Sequence, residues 1–153
     1  MKVIFLDFDG VLNSERFFRL NGSEGLALDP ACMIRLQEIV AVTDAVIVLS
    51  TSWREHWEKN AEECSVIGLE INEIFEKYNM RIYDKTPFSE VDRETDIETW
   101  LEEHSETTDF VVLDDRFLDS ELIRGHFVKT DGALRGLDEW AQEESIAILL
   151  KNT

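Results

Sequence analysis

Residues 2–12 read KVIFLDFDGVL. Val3, Ile4, Phe5 and Leu6 form an unbroken apolar run, too apolar for a strand with one wet face. Such a run fits a strand covered on both faces, as in a parallel sheet flanked by helices. At its carboxyl end stand Asp7 and Asp9, separated by Phe8. Residues two apart in a strand point the same way. If the extended conformation continues past Leu6, the two carboxylates face one spot. Like charges repel there unless a cation or a proton lies between them. The plain alternative is a solvated strand end before a turn at Gly10.

The rest of the chain decides between these. Strand-like runs recur at 45–49 (AVIVL) and 109–113 (DFVVL), with a weaker one at 126–129 (HFVK). Between them lie segments of helical period. Asp29-Pro30 supplies an N-cap and a first-turn proline, followed by Met33, Leu36, Ile39 and Val40. Residues 53–64 and 71–78 read as helices. Another starts near Asp92 and carries Ile97, Trp100 and Leu101, and the last starts at Asp138. Buried strands alternating with helices predict an α/β fold, a three-layer doubly wound (Rossmann-like) parallel sheet. With no repeat and no linker, residues 1–153 are expected to form one domain. Asn21-Gly22, between apolar runs, is a hairpin turn signal, so a small flap is expected over about 14–28.

The 153 residues carry 33 acidic and 15 basic side chains, a net charge of −18, and 44% apolar residues. That apolar content is enough for a packed core. The charge repels polyanions, which argues against broad binding to nucleic acid or an anionic membrane. Cys32 and Cys64 lack metal-type spacing and are expected to be reduced thiols, as in the cytoplasm. No apolar stretch approaches the length of about 18 residues that spans a bilayer.

In open parallel sheets, ligands bind beyond the carboxyl ends of the strands. Three such ends carry chemistry here: Asp7-Phe8-Asp9, Ser50-Thr51-Ser52-Trp53-Arg54 and Asp114-Asp115-Arg116. Four carboxylates without histidine or cysteine suit a hard, oxygen-loving cation, Mg2+ rather than zinc. The hydroxyls, with the amides of a strand-to-helix turn, suit the oxygens of an anion. A metal, a nucleophilic carboxylate and phosphate-binding donors together describe phosphoryl transfer. Singly, each has an ordinary reading: Ser50 and Thr51 as N-cap residues, Asp114-Asp115 as a turn.

FLDFDGVL, VIVLSTSWR and VVLDDR resemble, in order, motifs one, two and four of the haloacid-dehalogenase-like (HAD) phosphohydrolase superfamily. DGVLN, LSTSWR, the Thr86-Pro87 pair, RETDIETWL and Gly136-Leu137 are most similar to the small capless HAD domains associated with RNA-repair proteins. The resemblance implies that Asp7 is the nucleophile forming an aspartyl-phosphate and Asp9 the general acid and base. It places Mg2+ on Asp7, the Asp9 carbonyl and Asp115, with Asp114 in support and Asp119 as an outer carboxylate. It gives Ser50 the phosphoryl group, with Thr51 as the substitute. The motif-three cation is Arg93 or Lys85, and Arg93 fits the subgroup pattern better. The gaps between motifs leave no room for a large cap domain.

The expected substrate is a nucleotide or another small phosphorylated metabolite. Phosphorylated nucleic-acid ends, phosphotransfer to another acceptor and a non-catalytic Mg2+/phosphate-binding module are the alternatives. Arg54 beside the hydroxyl cluster, and Arg16 and Arg19 in the flap, are candidate substrate contacts.

Overall fold

A computed structural model describes residues 1–153. Five parallel strands form one sheet in the order β3-β2-β1-β4-β5: β1 Lys2–Leu6, β2 Val46–Leu49, β3 Ile82–Lys85, β4 Asp109–Asp114 and β5 Phe127–Lys129. β1 is central. Leu6 lies opposite Leu49 of β2 on one side and Leu113 of β4 on the other. The chain runs outward from β1 through β2 to β3, then crosses back to β4 and β5. The direction of winding therefore reverses at β1, where a crevice opens beyond the strand ends.

Alternation along the strands divides the core in two. Ile4, Leu6, Ile47, Leu49, Val111 and Leu113 face a larger cluster beneath α2 (Pro30–Thr43), α3 (Val66–Lys77) and α5 (Glu139–Leu150). Val3, Phe5, Val48 and Val112 face the other layer, against Ile97 and Trp100 of α4 (Arg93–Glu103). Trp100 meets Phe5 edge-on, with centroids 5.4 Å apart. Its indole N–H donates to Asp84 Oδ2 at 2.8 Å, and His104 stacks on it. No helix is long and apolar enough to cross a membrane.

Two local readings of the sequence need correction, and one short strand between Arg54 and Arg93 is present as expected. Residues 14–28 form no hairpin. Ser14 caps α1 (Glu15–Asn21) by accepting from the Phe17 N–H, and Gly22, at φ 87°, closes it with an N–H bond to the Phe18 carbonyl. The glycine that signalled a hairpin serves instead as a helix stop, at a positive φ that glycine adopts freely. Residues 53–64 form two short 3-10 turns, Ser52–His56 and Ala61–Glu63, rather than one helix. β3 is a strand that the alternation at 82–85 barely marks, because Tyr83 is exposed and Asp84 and Lys85 are half-buried.

Replacing Trp100 with alanine removes the largest fully buried side chain on the α4 face. Chemical denaturation is expected to show a loss of about 3–5 kcal/mol.

Candidate active site

Each central strand delivers a polar residue one step beyond its last apolar one. Asp7 continues the ladder, its N–H donating to the Leu113 carbonyl at 3.1 Å. Ser50 donates to the Leu6 carbonyl at 3.0 Å. Asp114 ends β4 and Asp115 follows. The carboxylates of Asp7, Asp114 and Asp115 lie within 4.8 Å of one another. Asp7 and Asp114 are buried, and Asp115 is half-buried.

Arg93, at the start of α4, meets two of the three. Its NH1 lies 3.1 Å from Asp7 Oδ2 and 2.6 Å from Asp114 Oδ2. The other Asp114 oxygen accepts the Arg116 N–H at 2.9 Å. Burial raises the Asp7 pKa to about 7; Arg93 opposes the rise, and Asp114 and Asp115 add to it. Burial and Asp114 likewise raise that of Asp115. Three carboxylates against one guanidinium leave the cluster short of positive charge.

The residues fit a divalent cation. All three donors are carboxylates, which suits a hard ion. A β-carbon on Gly10 would lie 2.2 Å from Asp115 Oδ2, and one on Gly132 would lie 2.6 Å from it. The two glycines form a cradle that only the Asp115 carboxylate fills. A second observation points to an anion: Ser50 Oγ is fully buried and has no hydrogen-bond partner. Buried hydroxyls are seldom left unpaired.

Asp9 stands apart from the cluster. The chain turns after Asp7, with the Val11 and Leu12 N–H groups donating to the Phe8 carbonyl, so the two-residue alternation of the strand ends there. Phe8 goes into the core, and Asp9 remains exposed. Its Oδ1 accepts from Asn13 Nδ2 at 3.0 Å and its Oδ2 from the Trp53 indole at 3.1 Å. Asn13 also accepts the Gly10 N–H at 2.8 Å, fixing the turn. Three carboxylates converge here, not four.

The two candidate cations separate. Arg93 lies in the cluster. Lys85 points away from it, and its ammonium donates to the Arg54 carbonyl, the Trp57 carbonyl and Glu58 Oε1 at 3.1, 2.7 and 2.8 Å. Thr51 is a capping residue whose hydroxyl accepts the Trp53 N–H. Asp119 is exposed and paired with Arg124. Arg16 and Arg19 are exposed on α1, where Arg16 lines a surface cleft with Arg35 and Arg135.

Arg54 is not a substrate contact. Its guanidinium is buried, and all five N–H donors are engaged. They reach the carbonyls of Thr86, Ser50, Thr51 and Pro87 and Asp96 Oδ2, at 2.8–3.2 Å. Arg54 therefore ties the loop after β2 to the loop after β3 and to α4, which carries Arg93. Asn13, Trp53 and Asp96 lie inside the motifs DGVLN, LSTSWR and RETDIETWL. The sequence marks these positions but does not reveal what they touch.

A parallel sheet whose first strand ends in a buried aspartate, faced by Asp-Asp on its neighbour and without an inserted cap, defines a capless HAD-like domain. The chain belongs to the family described as the HAD domain in Swiss Army Knife RNA repair proteins, whose model matches residues 3–140. No curated protein and no solved structure matches it. Membership suggests phosphohydrolase-type chemistry, and HAD domains typically use a divalent metal.

Two outcomes follow from the geometry. Arg54→Ala removes the ion-pair partner of the buried Asp96 carboxylate and a donor from each of four carbonyls. It is expected to cost about 3–5 kcal/mol, roughly 10 °C in melting temperature for a domain of this size. Arg54→Lys is expected to recover little of this, because lysine cannot reproduce the fork of donors.

The second outcome concerns Asp7. A carboxyl with a raised folded pKa holds its proton more tightly when folded. In chelator, its contribution to stability is present below pH 4 and falls as pH rises, the loss being complete just above about 7. Asp7→Asn is therefore expected to melt above wild type at pH 8, with the advantage shrinking through pH 5 and gone below pH 4. A divalent cation held by the three carboxylates would narrow the gap at pH 8.

Proposed function

We propose that the chain is a Mg2+-dependent phosphomonoester hydrolase working through an aspartyl-phosphate on Asp7. The observation that carries this reading is the pairing at the ends of β1 and β2. The Asp7 carboxylate and the unpartnered Ser50 hydroxyl occupy the next register step after Leu6 and Leu49. Adjacent strands lie about 4.8 Å apart, so a phosphoryl group held by Ser50 sits against the Asp7 oxygen.

In the first step an Asp7 oxygen attacks phosphorus and the bond to the ester oxygen breaks. Asp9 protonates the departing oxygen, which then leaves as an alcohol. In the second step Asp9 takes a proton from water. The water oxygen attacks phosphorus, and the bond to Asp7 breaks to release inorganic phosphate. Asn13 and Trp53 hold the Asp9 carboxylate through both steps. Arg93 neutralises the nucleophile and the transferring oxygens, serving as the motif-three cation, and Asp114 anchors it. The Asp7 and Asp115 carboxylates and the Asp9 carbonyl would hold Mg2+, which supplies charge stabilisation at the phosphoryl oxygens.

The substrate we assign is a phosphorylated nucleotide, free or at the end of an RNA strand. The family's RNA-repair setting and the lack of a cap support a strand end. The charge of −18 supports a small substrate. The free thiols of Cys32 and Cys64 are consistent with a cytoplasmic setting.

Phosphate release from an aryl phosphate is expected to need Mg2+ and to stop in EDTA. Asp7→Asn should lower turnover by several orders of magnitude. Asp9→Asn should remain able to form phosphoenzyme from a substrate with a good leaving group, which needs little protonation. Near-normal turnover by Asp7→Asn, or full activity in EDTA, would falsify the mechanism.

A further inference from the structure

The structure assigns a second element to this site: we propose that the ring of Phe88 is a stacking platform for the nucleobase next to the phosphate being cleaved. This rests on the hydrolase reading above. Phe88 is 52% exposed, yet it is held from three directions. The carbonyl before it, on Pro87, accepts from Arg54 NH2 at 3.2 Å. The N–H after it, on Ser89, donates to Asp96 Oδ1 at 2.8 Å. The Arg54 guanidinium lies 3.7 Å from the centroid of one face. Arg54 is itself fixed by five hydrogen bonds, so the ring is backed by a rigid cation on one side and open on the other.

Exposed aromatic side chains are ordinarily free to rotate. One whose flanking backbone and rear face are all pinned has already lost that freedom, so a planar ligand meets little further ordering cost. The ring borders a cleft of about 240 Å³ whose lining includes Ser52, Arg54, Arg93 and Arg116, and the carboxylates of Glu90, Asp92 and Asp96, the last two engaged by the Thr95 N–H and by Arg54. Arg93 joins this cleft to the Asp7 carboxylate, 3.1 Å away. Arg116 stands at its edge, exposed, its nearest carboxylate oxygen 3.9 Å distant. A ring therefore fits beside the reacting phosphate, with a cation within reach of an adjoining phosphate. A flat base carrying a phosphate satisfies the aromatic face and the guanidinium together. A sugar phosphate satisfies only the second. Stacking of a base on an aromatic side chain is tolerant of sequence, so the platform is expected to distinguish nucleotides from other phosphates and not one base from another.

The test uses the full chain with Mg2+ and three probes: a nucleoside monophosphate, a short oligonucleotide carrying a terminal phosphate, and glycerol phosphate. Phe88→Leu is expected to raise KM for the nucleotide, the oligonucleotide or both by roughly tenfold, while leaving glycerol phosphate unchanged. Phe88→Trp should restore wild-type values. Which nucleotide probe responds tells a free nucleotide from a strand end. Equal loss on all three probes, or none on any, overturns the platform. Calorimetric titration of the non-turning-over Asp7→Asn protein with the same probes separates the two proposals. Phe88-dependent nucleotide binding without hydrolysis by wild type keeps the platform and sinks the hydrolase. Hydrolysis with binding indifferent to Phe88 does the reverse.

Discussion

Three carboxylates share a buried space with one guanidinium, and this imbalance organises the molecule. Asp7, Asp114 and Asp115 are brought together because β1 and β4 are adjacent and in register, so their ends coincide. The hydrophobic sheet beneath them does not relax to separate the charges, since its strands are packed on both faces. The repulsion is instead met in part by Arg93 from α4, and the donors that remain suit a divalent cation. A fold stabilised by apolar burial thus carries at its centre a group of charges in which carboxylates outnumber cations.

The second determinant is Arg54. A buried arginine is costly to desolvate, and here every donor has an acceptor. Four of those acceptors are loop carbonyls that no sheet ladder satisfies. The bonds set the spacing between the Ser50 loop, the Thr86-Pro87 loop and α4. Ser50 and Arg93 therefore sit on elements tied to one another through a single side chain.

The architecture was legible where sequence patterns are redundant. β1, β2 and β4 are continuous apolar runs ending in polar residues, and α2, α4 and α5 start at Asp-type caps, so the doubly wound sheet follows. The pairing of Asp7 with Asp114 and Asp115 follows from the rule that strand ends converge. Asp9 was harder, because reading it depends on whether the strand continues, and the turn held by Asn13 ends it. Arg54 resembled a ligand contact because sequence shows a charge but not its acceptors, three of which come from residues 32 to 42 positions away. The helix at 15–21 was misread for a related reason: a glycine after asparagine serves a hairpin and a helix stop equally well, and the Ser14 cap decides between them.

The indole of Trp53 donates a hydrogen bond to one oxygen of Asp9. An indole is a chromophore whose emission responds to the electric field along its ring. A carboxylate and a carboxylic acid at 3.1 Å present that ring with very different fields. The residue that holds Asp9 is thereby also placed to be an optical witness to it. Under the proposed mechanism, a proton passing through Asp9 would change the light emitted by a neighbouring side chain, with no label attached.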